Sequence, residues 1–234
     1  MVSGKQISGA ALKNRKKTNF RRIYYPLIGL AMVLLLFTSL LLYEPVVFNP
    51  PEIVDTNQVS VYLTHVLSPQ LYNGVQWQEP FDLIVTEEGI NDIIARSGWP
   101  MQTGGIRFSA PTVFFIQDTI VLMGQISAAG VEFVLTVVGK PRLDEAGLLN
   151  LRVAKVKLGA VGIRPLAVII ARKMYLQQTA DSGFDAEHII AKIAASLLDG
   201  KPFEPVFEID NEKVRISKIT ITQGKLTVHF VPAI

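Results

Sequence analysis

Hydrophobic positions along this chain follow three patterns in turn. The first is an unbroken run, Ile23–Tyr43, with no charged residue in it. At ~1.5 Å of rise per residue a helix over this run measures roughly 31 Å, enough to cross a hydrocarbon core. The run is apolar on every face, as suits a helix in lipid rather than the core helix of a globular domain. Tyr24, Tyr25 and Tyr43 fall where interfacial aromatics anchor the two ends. Pro45, Asn49, Pro50 and Pro51 then predict a short stiff linker.

The second pattern has the period of a helix. Asp55 or Thr56 can cap a helix whose stripe is Val59, Tyr62, Leu63, Val66 and Leu67, with Ser68 and Pro69 ending it. Phe81–Val85 reads as a short strand. Thr86 caps a second helix that turns Ile90, Ile93 and Ile94 inward. Further on, Pro165 opens a helix lined by Leu166, Ala167, Ile170, Ala171 and Met174. Asp185 caps another, whose stripe runs through Ile189, Ile190, Ile193, Ala194 and Leu197 to a stop at Gly200.

The third pattern has a period of two and begins near Ile106. It predicts strands at Thr112–Gln117, Thr119–Ser127, Val131–Val138 and Leu148–Leu158, and later at Val206–Asp210, Val214–Thr222 and Lys225–Val231. The short turns between the first four imply an antiparallel meander. Within Leu148–Leu158 the apolar phase runs Leu149, Leu151, Val153 and then slips to Val156, Leu158. A similar slip separates Val214, Ile216 from Ile219, Ile221. Each slip predicts a β-bulge, which bends and twists a sheet. Several strands are apolar on both faces, so the sheet must be covered on both sides or curl around something apolar.

The fold class expected is therefore α+β: an N-terminal transmembrane helix, then a curved antiparallel sheet packed on amphipathic helices. The expected organisation is a tail over 1–22, a membrane helix over 23–43, a linker over 44–54 and one domain over 55–234.

Charge orients this arrangement. Seven of the 23 Lys and Arg residues precede Tyr43 and none of the 20 Asp and Glu do. The remainder thus carries 16 cations against 20 acids, a net charge of −4, although the whole chain is +3. The positive-inside bias places the N-terminus in the cytoplasm and the domain beyond the membrane. The basic excess belongs to the tail, so nucleic acid is not an expected partner. A cleaved signal peptide is the rival for the apolar run. The run is too long for that and ends Leu40-Leu41-Leu42-Tyr43-Glu44-Pro45, with no small-x-small site. The absence of cysteine excludes disulfides, thiol catalysis and thiolate metal sites.

No constellation of catalytic residues emerges. His65, His188 and His229 lie in separate elements without metal-ligand spacing and read as surface residues. Glu87–Glu88 suits a helix N-terminal turn, and Asp144–Glu145 suits a turn between strands. There is no G-x-S-x-G, Walker A or G-x-G-x-x-G motif, and no cofactor or enzymatic activity is expected. Arg152, Lys155, Lys157, Arg164, Arg172 and Lys173 do cluster in sequence. They could meet anionic headgroups or form a solvated face.

Three segments carry a resemblance: L83-I-V-T-E-E-G-I-N-D-I-I, F115-I-Q-D-T-I-V-L-M-G, and D144-E-A-G-L-L-N-L-R-V-A-K-V-K-L-G-A-V-G-I-R-P. Over about residues 80–180 the chain resembles the bacterial single-span YpmS-like proteins and LmeA-like phospholipid-binding proteins. That resemblance implies a relative of the tubular lipid-binding (TULIP-like) superfamily, with a curved sheet wrapping a helix around an apolar groove. Candidate lining residues are then Phe115, Ile120, Leu122, Phe133, Leu135, Leu151 and Val153, facing Ile170, Met174, Ile190 and Ile193. Arg164, Arg172 and Lys173 would contact a headgroup. All the lining residues would serve equally well as ordinary core. The expected function is lipid or amphiphile binding, non-catalytic, by a bitopic cell-envelope protein with membrane lipid as its partner. The alternative is a scaffolding domain that binds another membrane or cell-wall protein.

Overall fold

The computed structural model describes residues 20–49, 58–103, 105–165, 167 and 187–233. The chain divides into two units, Met1–Ser39 and Leu40–Ile234. Helix α1 spans Phe20–Leu41. Its Tyr24–Leu41 portion is long and apolar enough to cross a membrane, and none of it is buried. This is the one such helix among the described residues, and it is compatible with a single-pass membrane protein. Thr38, next to Ser39 near its end, donates its hydroxyl to Leu34 O at 2.8 Å, so that group needs no water.

The second unit is α+β, built on two antiparallel sheets. The smaller has the order β1-β11-β10-β9, from Phe81–Thr86, Lys225–Pro232, Glu212–Thr222 and Val206–Ile209. The larger contains β2 (Met101–Thr103), β3 (Ile106–Phe108), β4 (Thr112–Ile116), β5 (Thr119–Ala128), β6 (Val131–Leu143), β7 (Leu149–Leu158) and β8 (Val161–Gly162). Its order is β2-β3-β5-β6-β7-β8, with β4 also paired to β5. Strands β4 to β7 form the expected meander, each antiparallel to the next.

Both expected bulges are present. Ser217 is the extra residue in β10, where Ile216 pairs with Phe230 and Lys218 with His229. Ala154 is the extra residue in β7, where Val153 pairs with Gly139 and Lys155 with Val138.

Two expected boundaries are corrected. Pro69 does not end the first helix: one π turn, Leu63–Leu67, leads directly into α2, Ser68–Gln76. The Ser68 N–H reaches back to Leu63 O, five residues away, and this wider turn relieves the clash and the missing N–H that proline would cause in a continuous α-helix. Nor does β6 stop at Val138, the expected end of that strand: it continues through Pro141 to Leu143. Pairing with β5 stops at Gly139, so Pro141 occupies a stretch with a vacant side where no donor is missed. The turn comes at Asp144, whose carboxylate accepts from the Ala146 and Leu148 N–H groups. The helix starts at Asp55, Thr56 and Asp185 lie outside the described residues. Of the expected linker, Phe48 is buried in the second unit, and Asn49 O accepts from the Thr112 hydroxyl at 3.2 Å.

The two sheets pack face to face at one end. The inner face of the small sheet carries Val214, Ile216, Ile221 and Phe230, with the Phe81 and Phe230 rings stacked 5.2 Å apart. One buried cluster joins Val214, Ile216 and Phe230 to Val75, Leu149 and Phe203; the other joins Val85 and Ile221 to Val113 and Phe115. Gly74 and Gly89 are fixed by close approach. A Cβ on either would drive into the ring of Phe81 or Tyr62 respectively.

Helices close the edges of the large sheet. Helix α3 (Glu87–Ala95) is capped by Thr86, whose hydroxyl accepts from Gly89 N at 3.2 Å. Its Asn91 accepts from Val113 N at 2.7 Å and donates to Val113 O at 2.9 Å. Glu87 accepts from Phe115 N at 2.8 Å. Two side chains thus do for β4 what another strand would do. On the opposite edge, helix α4 (Glu187–Asp199) presents the fully buried Ser196, whose hydroxyl accepts from Leu151 N at 2.8 Å. Gly200 ends α4, as expected, with a positive φ of 68° and its N–H on Ser196 O.

Two predictions follow from these contacts. Asn91→Ala leaves Val113 N–H and C=O without their partners and should destabilise the second unit by about 2 kcal/mol. Denaturant titration of the detergent-solubilised chain, together with faster amide exchange at Val113, reads the effect. The second concerns Asp92, which is held below the ordinary aspartate range by hydrogen bonds from the Ser60 hydroxyl and from Arg96. A depressed carboxyl pKa adds stability that is fully present above the unfolded value and disappears as pH falls through the folded one. Acid titration of folding should therefore show a slope below about pH 4 that Asp92→Asn removes.

Candidate functional site

Residues paired across strands share a face, so the register sorts every side chain of the large sheet. Val113 pairs with Leu122, Phe115 with Ile120, Ile126 with Phe133, Gly124 with Leu135, Val137 with Val156, Gly139 with Val153 and Pro141 with Leu151. All seven described strand candidates, Phe115, Ile120, Leu122, Phe133, Leu135, Leu151 and Val153, therefore lie on one face. That face is apolar from end to end.

Its two ends differ. Phe115 is 2% exposed at the centre of a buried cluster, with Ile120 and Leu122 packed against it. Leu151 packs with Ile193 against the other cluster. Those five residues are core in this structure. Phe133, Leu135 and Val153 are half-buried and belong to neither cluster. Beyond Phe133 the apolar face runs on to Val131, 42% exposed, and to Ile106, 36% exposed. Ile170, Met174, Arg172 and Lys173 lie outside the described residues, as does the side chain of Ile190.

The opposite face holds a groove of about 690 Å³. Lys140 and Arg142 of β6 and Arg152, Lys155 and Lys157 of β7 line it, with Thr119 and Thr136 on the floor and Asp144 at one end. Arg152 sits directly across from Lys140, and Lys157 directly across from Thr136. None of the five cations forms an ion pair among the described residues. Asp144 is the one carboxylate in the lining, and it is engaged by its own turn. Exposed Arg164 stands in an adjoining hollow of about 290 Å³ that shares Asn150 and Arg152 with the groove. Asn150 is fixed by donating to Gly200 O at 2.9 Å, which leaves its side-chain oxygen buried without a partner.

The sequence reading found Arg152, Lys155 and Lys157 but missed Lys140 and Arg142. The missing signal is the hairpin register. With Asp144–Leu148 as the turn, positions 138, 140 and 142 alternate onto the face of 150 and 152.

Among the described residues no group of His, Asp and Glu could hold a metal ion. His65 is exposed, and His229 Nδ1 lies 2.6 Å from Asp82 Oδ1, its cross-strand neighbour in the small sheet. Comparison with protein family models, with curated proteins and with solved structures finds no match for the chain.

Like charges placed directly opposite each other cost stability. Lys140→Gln should therefore raise the stability of the unliganded chain by about 0.3 kcal/mol at low salt, a small value because both groups are solvated. The gain should vanish near 1 M salt, where the Debye length shrinks to about 3 Å. Thermal unfolding at the two ionic strengths measures it.

Proposed function

We propose that this chain is a single-pass membrane protein whose second unit lies on the extracytoplasmic side and binds lipid or another amphiphile without catalysis. The observation that carries the reading is the apolar face of the large sheet. It does not stop where the core stops, but extends through Phe133 and Leu135 to exposed Ile106 and Val131. Burying an acyl chain along such a strip is worth ~0.8 kcal/mol per methylene removed from water. The charge asymmetry around α1 supports the orientation. The resemblance of residues 80–180 to single-span YpmS-like proteins and to LmeA-like phospholipid-binding proteins, which implies a curved sheet around an apolar groove, points the same way.

The test is photocrosslinking of the full chain in membranes containing a phospholipid with a diazirine in its acyl chain. Adducts on peptides carrying Phe133 or Leu135 are expected, at least fivefold fewer in Phe133→Asp, with the circular dichroism spectrum unchanged. Adducts confined to Tyr24–Leu41 would overturn the reading, because a bare anchor gives that result.

A further inference from the structure

We infer that the basic groove on the other face of the large sheet is a binding site for a diphosphate group, whether free or carried by an amphiphile. This site stands independently of the apolar-face reading.

Five cations and one carboxylate line a single groove, leaving a local excess of four positive charges. A phosphate monoester brings about −1.5 to −2 at neutral pH and leaves roughly half of the excess uncompensated, whereas a diphosphate carries further ionised oxygens and offsets more of it. Groove volume agrees: about 690 Å³ lies within the range of small-molecule sites and exceeds what a single phosphate fills. The chemistry of the donors agrees as well. Arg142 and Arg152 offer planar forks that grip phosphate oxygens bidentately, while the lysines add point charges. Thr119 and Thr136 supply hydroxyl donors from the floor.

A solvated surface would not need this arrangement. Lys140 and Arg152 oppose each other directly, a placement that costs stability when no anion lies between them. The β7 bulge assembles the cluster. Were Ala154 paired as an ordinary strand residue, alternation would turn Lys155 and Lys157 onto the apolar face. With it, both follow Arg152 into the groove while Val156 and Leu158 keep to the apolar side. Bulges recur next to binding sites because they re-aim side chains in this way.

The experiment uses the full chain in nanodiscs of zwitterionic lipid. Inorganic pyrophosphate, inorganic phosphate and a short-chain isoprenyl diphosphate are titrated separately by calorimetry and by thermal shift. Pyrophosphate should bind at least tenfold more tightly than phosphate, raise the melting temperature, and weaken steeply with salt. Arg152→Gln and Lys140→Gln should each reduce affinity at least tenfold, whereas Lys218→Gln on β10 should leave it unchanged. An isoprenyl diphosphate that binds more tightly than pyrophosphate identifies an amphiphile as the source of the group; equal affinity identifies a free diphosphate. If pyrophosphate binds no better than phosphate, or if Lys218→Gln weakens binding as much as Arg152→Gln, the site is refuted. Circular dichroism of each variant keeps loss of fold apart from loss of binding. Acyl-chain crosslinking at Phe133 is unaffected by either result, so the two readings fail separately.

Discussion

One bulge in β7 decides which face of the large sheet the second half of that strand presents its lysines to. A strand alternates its side chains strictly, so an extra residue changes the side of every residue beyond it unless a bulge absorbs it. Ala154 is that extra residue, and it falls between Val153 and a segment reading Lys155-Val156-Lys157-Leu158. Without the bulge, two lysines would point into the apolar layer, each costing far more than a bulge does. With it, one face of the sheet stays apolar throughout, and the other is cationic along β6 and β7 while buried Val121 and Val134 keep its remainder apolar. The basic groove depends on this register, and so does the burial of Val156 on the apolar side.

A two-faced sheet also needs closed edges, because unpaired backbone groups would recruit another chain. Here helices supply the closure through side chains. Asn91 and Glu87 occupy the hydrogen-bonding positions beside β4, and Ser196 occupies one beside β7. Phe203 completes the β7 edge by exchanging both backbone bonds with Leu149. These contacts explain why α3 and α4 carry polar residues on faces that otherwise pack as apolar stripes. A buried Ser196 would be a defect in a helix meeting only side chains; against a strand edge it is the needed acceptor.

Local periodicity carried much of this architecture. Both bulges could be read from phase slips, the α3 cap from Thr86, the end of α4 from Gly200, and the meander from its short turns. What periodicity could not supply was information held in pairing. Pro69 and Pro141 look like terminators because proline usually is one, and only a π turn and a vacated strand side make them tolerable. The basic groove escaped because Lys140 and Arg142 are ten or more residues from Arg152, and only the β6–β7 register brings them together. Apolar candidates were placed on the right face, yet which end of that face is core depends on where the small sheet lands. That is a tertiary fact with no local signature.

The placement of the two candidate surfaces constrains what any ligand can do. They lie on opposite sides of one sheet layer, and side chains on opposite sides of a strand point away from each other. A short amphiphile therefore cannot seat its acyl chain on Phe133 and its headgroup between Lys140 and Arg152 at once. It must use one surface, or reach around an edge. The β8 edge offers one route, since β8 is only two residues long and exposed Arg164 follows it closely, in the hollow shared with Arg152. An amphiphile long enough to bridge the two surfaces by that route would pass Arg164.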